Sequence, residues 1–255
     1  MSPENKRIVF GFLALQALVI VIALQKDDPS PTPSAPTTPS ISIQPPAPTS
    51  SAVTAERATD PTPEEIRSTH VLRQLIQTHP DSEMRESLSH LISSGEVNLN
   101  FQDEPGSGTV SIARVLYGTV PEKGTVLFFS FNQTELLNDK ISSVFKQLVI
   151  YHEWNHIKQQ REGRCPKSIY YSRPPGVPLT ADFLQKYLEA EFEAYTAECR
   201  LAERIKALDL FAPCHTLLER GDLAFREKIA GMYDTVREFA PYHDTLARIA
   251  RHQAE

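Results

Sequence analysis

Cysteine is scarce in this chain, three residues in 255, and Cys165, Cys199 and Cys214 have no zinc-finger spacing. There is no excess of basic charge. The net charge is −6, which argues against a nucleic-acid binder, since that would show a basic surface. Charge is missing altogether from Ile8–Leu24, an apolar run broken only by Gln16 and preceded by Lys6 and Arg7. No small-x-small cleavage site comes after it and no cysteine stands nearby to accept a lipid, so the run reads first as an uncleaved anchor, with a cleaved signal as the alternative. The basic residues before it predict a single-pass membrane protein, N-terminus cytoplasmic and the remainder extracytoplasmic, in a periplasm or outside the cell.

Proline, by contrast, is abundant. Ten of the twenty prolines fall between Asp28 and Pro63, mixed with Ser and Thr. Such sequence buries too little apolar surface to offset its ordering entropy. It reads as an extended linker over 28–61, between an anchor segment over 1–27 and a folded domain over 62–255. Thr62-Pro63-Glu64-Glu65 is a helix start, with a capping residue, proline at the first helical position and acids in the first turn. Ile66, Val71, Leu72, Leu75 and Ile76 give that helix an apolar stripe. A second helix spans about Asp81–Ser93. His70, His79 and His90 read as surface or helix-end residues. Val97–Phe101, Thr109–Tyr117 and Thr125–Phe131 are β-branched or aromatic runs punctuated by glycine. They predict a small antiparallel sheet, with Val126–Phe129 central and buried on both faces and Thr109–Leu116 at an edge.

The stretch Asn138–Gly163 predicts one long helix carrying His152-Glu153-Trp154-Asn155-His156. Histidines four apart project from one helical face, continued toward the N-terminus by Ile141, Phe145 and Leu148. Both imidazoles therefore point inward, where a metal would be held firmly. Glu153 is rotated by about 100° from His152, beside a bound metal and suited to act as a base. Arg164–Leu179 is a loop with Tyr170, Tyr171 and Arg173 as cleft-wall candidates.

Thr180 caps a further helix with an inner stripe of Leu184, Leu188, Glu191, Tyr195, Glu198, Ala202 and Ile205. Two carboxylates in an apolar line need a positive partner, because burying one alone costs several kcal/mol. Glu191 is the better third ligand and Glu198 the runner-up, which can instead orient a ligand. Lys186, Glu189, Glu193, Arg200 and Arg204 fall on the solvated side. The C-terminal part reads as helices split at Gly221 and Pro241, packed through Leu217, Leu218, Leu223, Phe225, Ile229, Met232, Val236, Phe239, Leu246 and Ile249. His215, Tyr233, Tyr242 and His243 are candidate donors to a reacting oxygen. Cys199 and Cys214 flank a turn and can pair; Cys165 can pair with either instead.

HEWNH followed by Glu191-Phe192-Glu193-Ala194-Tyr195 resembles the gluzincin-type zinc metallopeptidases, over about residues 139–204. The resemblance implies His152, His156 and Glu191 as ligands of Zn2+, Glu153 as catalytic base, and an α+β, zincin-like fold, mostly helical, with a small sheet packed on the HExxH helix. One departure is Tyr195, which stands where many such enzymes carry an acid that orients a histidine. The expected activity is that of a membrane-tethered zinc metallopeptidase cleaving a peptide or protein by Glu-assisted attack of zinc-bound water. The alternative is a non-catalytic tethered envelope domain, a binding or adaptor module with a structural or vestigial metal site. A third reading keeps the chemistry but hydrolyses a non-peptide amide.

Overall fold

The computed structural model describes residues 60–102, 112–120, 124–165, 178–234 and 239–252. Helix α1 (Pro63–Gln77) opens on a capping box. The Thr62 hydroxyl accepts from the Glu65 N–H at 3.1 Å, and the Glu65 carboxylate accepts from the Thr62 N–H at 2.9 Å, satisfying two amides a helix start leaves orphaned. Helix α2 (Ser82–Ser93) is capped by Asp81 and ends before Gly95, whose φ of +75° glycine adopts without strain. Leu72, Leu75, Ile76, Met84, Leu88 and Leu91 are buried, whereas Ile66, expected in that stripe, is 58% exposed. His79 also departs from expectation. It is fully buried, stacks on Tyr151 with ring centroids 5.4 Å apart, and accepts the Asp81 N–H at Nδ1.

Strands β1 (Val97–Gln102), β2 (Ala113–Val120) and β3 (Gly124–Asn132) form one sheet in the order β1-β3-β2. β2 pairs antiparallel with β3, but β1 pairs parallel with it. The expected antiparallel sheet is therefore a mixed one: β2 takes the far side of β3, so β1 meets a strand running its own way. β3 is central, as its apolar run implies, and β2 is an edge. Leu127, Phe129 and Phe131 are buried, while Val126 and Phe128 on the alternate positions are half-buried, so β3 is not fully covered on both faces.

The short helix α3 (Gln133–Leu137) leads to α4 (Ser143–Arg161), capped by Ser142. α4 carries the HExxH residues and is shorter at its start than the expected Asn138–Gly163, because Asn138 closes α3 and the chain turns before Ser142. Next come α5 (Ala181–Arg204), capped by Thr180, a 3-10 turn over Leu208–Leu210, and α6 (Ala212–Asp234), bent at Gly221 where φ is 80°. A second 3-10 turn, Ala240–Tyr242, leads to α7 (His243–His252). A disulfide joins Cys199 on α5 to Cys214 on α6. Leu218 and Leu223, expected to pack, are exposed.

Two apolar clusters result. One combines α1, α2, the sheet and the Val149, Ile150, Trp154 and Ile157 side of α4; the other combines Leu148 with α5, α6 and α7. α4 lies between them.

The expected placement in a membrane is corrected here. Among the described residues no helix is long and apolar enough to cross a bilayer. Ile8–Leu24 and the proline-rich stretch lie outside the described residues, as do Tyr170, Tyr171, Arg173 and Val236, and the anchored topology is withdrawn.

Candidate metal centre

Helical spacing stacks His152 and His156 on α4, their ring centroids 4.8 Å apart. α5 crosses this face and supplies Glu191. His152 Nε2 and His156 Nε2 lie 3.0 Å apart, and each lies 3.4 Å from Glu191 Oε2. All three residues are buried. Ligands about 2.0–2.1 Å from a tetrahedral ion stand about 3.3 Å from one another, so the triangle has the size a small metal ion requires. His152, His156 and Glu191 can thus hold a metal ion.

The outer hydrogen bonds fix which atoms face the centre. His152 Nδ1 meets Glu198 Oε2 at 3.1 Å. His156 Nδ1 meets Gln159 Oε1 at 2.9 Å, and Gln159 Nε2 is committed to Ala190 O and Glu193. Neutral imidazoles so held donate from Nδ1 and keep Nε2 unprotonated, the tautomer a metal ligand needs. Two such lone pairs 3.0 Å apart, with a carboxylate beside them, repel unless a proton or a metal ion sits between them. Of the two acids in the α5 stripe, Glu191 reaches the centre and Glu198 stands behind His152 at its Nδ1. Tyr195 itself packs its ring on His152, centroids 4.2 Å apart.

The charges respond accordingly. Burial works against a proton on His152, but hydrogen bonds to Glu191 and Glu198 overcome it and lift the pKa to about 9. For Glu191, burial would raise the carboxyl; the charge of His156 and hydrogen bonds from both histidines hold it well below the usual range. Each is the signature of anionic and cationic groups forced together without water.

Glu153 is turned the other way, toward the sheet. It is 5% exposed, and its Oε2 accepts the Val115 N–H of β2 at 2.9 Å. That amide points away from β3, so the outer edge of β2 faces the HExxH residues. Burial raises the Glu153 carboxyl above its ordinary value.

Of the four candidate donors, Tyr233 alone stands at this centre. It is buried beside Glu191, together with Tyr187, which lies one turn before Glu191. The Tyr187 hydroxyl is buried facing Tyr233 and Glu191, and the Tyr187 and Tyr233 rings meet edge-on at 5.6 Å. His215 pairs with Asp209 and His243 with Asp234, while the Tyr242 hydroxyl accepts the Leu179 N–H. Sequence reasoning missed Gln159, Tyr187 and Val115. Spacing of three from His156 and four from Glu191 was the available signal for the first two; Val115 acts through its backbone and leaves none. Two acids assigned to the solvated face are engaged as well: Glu189 pairs with Arg226 at 3.0 Å, and Glu193 pairs with Arg164. They border a groove of 440 Å³, lined also by Asn155, Phe192 and Arg200, that contains none of the metal-binding residues.

Searches against protein families, curated proteins and solved structures returned no match to this chain.

Proposed function

We propose that the protein is a zinc-dependent peptidase with a zincin-like arrangement, similar to the gluzincin-type enzymes. The observation that carries the reading is the buried His152, His156 and Glu191 triangle with a buried carboxyl, Glu153, next along α4. Imidazole and carboxylate donors at this spacing suit zinc, and three protein ligands leave a fourth position for chemistry. A bound zinc supplies Lewis acidity there.

The chain's own groups do the rest. Glu153 takes a proton from the attacking water and returns it to the departing amine. Burial raises its carboxyl above the ordinary value, the direction that favours accepting a proton. The Val115 N–H holds the unprotonated carboxylate in place between these transfers. Glu198 and Gln159 keep His152 and His156 in the ligating tautomer. Tyr187, its hydroxyl buried beside Glu191, donates to the oxygen on which charge develops. The outer edge of β2 offers main-chain groups to an extended peptide, which adds itself as a further strand and delivers its carbonyl beside Glu153.

The test is zinc loading of protein purified metal-free, followed by peptide cleavage with wild type and Glu153→Gln. About one zinc per chain is expected in both, with cleavage reduced about 10²–10⁴-fold in the variant. Zinc content near zero removes the reading, as does a variant that cleaves at the wild-type rate.

A further inference from the structure

The 440 Å³ groove beside Glu189 and Glu193 is separate from the metal centre. Glu189 and Glu193 are each two residues from Glu191, so they project from nearly the opposite side of α5. The volume falls in the range of about 300–1,000 Å³ usual for ligand sites.

The floor of the groove is already built. The Arg226 guanidinium lies 4.1 Å from the centre of the Phe192 ring. Arg226 is buried, and it donates to Glu189 Oε1 at 3.0 Å and to Ala250 O at 3.3 Å. Glu193 is held by Gln159 Nε2 at 3.1 Å and by Arg164. A ligand need not order these groups, which lowers the cost of binding.

Charge is divided along the groove. α6 runs antiparallel to α5, because Arg226 meets Glu189 while Cys214 is bonded to Cys199. Asp222, one turn before Arg226, is therefore opposite Glu193. At this end three carboxylates, Glu189, Glu193 and Asp222, face the single guanidinium of Arg226. Arg200 stands at the other end, one turn beyond Thr196. Asp222 and Arg200 are both exposed, and among the described residues neither side chain has a hydrogen bond or ion pair. Along the helix axis, Glu193 and Glu189 are about 10–16 Å from Arg200. The two charges of a free amino acid are too close together to meet both ends. An extended chain of about three to five residues covers the distance.

We propose that this groove is a peptide-holding site, distinct from the metal centre, for a short extended peptide with both ends free. The N-terminal ammonium lies beside Asp222 and Glu193, and the C-terminal carboxylate lies beside Arg200 and the Thr196 hydroxyl. No covalent bond is made or broken there. The inference goes beyond the proposed activity and needs no metal ion.

The test is calorimetric titration of the full chain, metal-free, with tetra-alanine. Acetylating the N-terminus or amidating the C-terminus should each weaken binding about 5-fold, the upper range for an exposed ion pair. Asp222→Asn should weaken tetra-alanine to a similar degree and remove the effect of acetylation while keeping that of amidation. Arg200→Gln should do the reverse, as a double-mutant cycle requires of a direct pair. Circular dichroism checks that both variants are folded. Tetra-alanine that fails to bind at millimolar concentration overturns the proposal, and so does equal binding of the doubly blocked peptide. End effects that survive in both variants overturn the placement in this groove. Binding that appears only after zinc is added puts the peptide at the metal centre and also overturns it. Metal-free binding as described, in a protein that neither takes zinc nor cleaves peptides, removes the peptidase reading and leaves the groove standing.

Discussion

The two cores that meet on α4 are built differently and hold different parts of the site. The first is a sheet backed by α1 and α2, and it gives the centre a backbone amide, Val115, fixing Glu153. The second is all helix, joined by a disulfide, and it gives the carboxylates: Glu191 beside the two histidines and Glu198 behind His152. The proposed base is thus positioned by one half of the fold and the proposed metal by the other. Damage to the two halves should separate into turnover on one side and metal affinity on the other.

The strongest way to test that division is Glu191→Gln. It should weaken zinc binding by more than about 100-fold, beyond the range for outer partners, in competition with a chromophoric chelator. Glu153→Gln should stay within a few-fold of wild type in the same assay. Next is removal of the disulfide by Cys199→Ser with Cys214→Ser. Sequence separation of 15 residues implies a loss of about 3 kcal/mol in denaturant unfolding. Cys199 adjoins Glu198, so zinc affinity should fall too, while hydrogen-exchange protection in β3 stays. Glu198→Gln and Gln159→Ala come third, each weakening zinc binding about 10–100-fold without unfolding the sheet. The smallest effect belongs to the first core. Burial lowers the His79 pKa, ahead of the nearby Asp81 charge that raises it. Since the unfolded chain binds that proton more readily, the contribution to stability is full above about pH 6.5 and is lost as pH falls through the lowered folded value. His79→Asn keeps an acceptor for the Asp81 N–H and should flatten this slope in zinc-loaded protein, measured by the melting temperature between about pH 7 and pH 5.

Local signals carried most of what sequence could show. The Thr62, Asp81, Ser142 and Thr180 caps are single-residue chemistry, and helix period alone put His152, His156, Glu191 and Glu198 inward. Helix period ranked Glu191 only narrowly ahead of Glu198, because residues seven apart share a face and only the crossing of α5 over α4 separates them. The sheet's mixed pairing was hidden for a similar reason: strand direction depends on which side of β3 the chain returns to, which composition does not record. His79 comes after a helix end and precedes a proline, a context that reads as surface until Tyr151 from α4 is laid across it.

His152 and His156 ride on α4, while Glu191 rides on α5, so no single helix can retain the ion by itself. With an ion held as proposed, every excursion that parts α4 from α5 would uncouple one ligand at a stroke and open a way for the ion to leave. The rate at which a strong chelator in excess strips zinc from the folded protein is therefore a clock for the breathing of the two halves against each other, set by the fold rather than by the chelator's concentration.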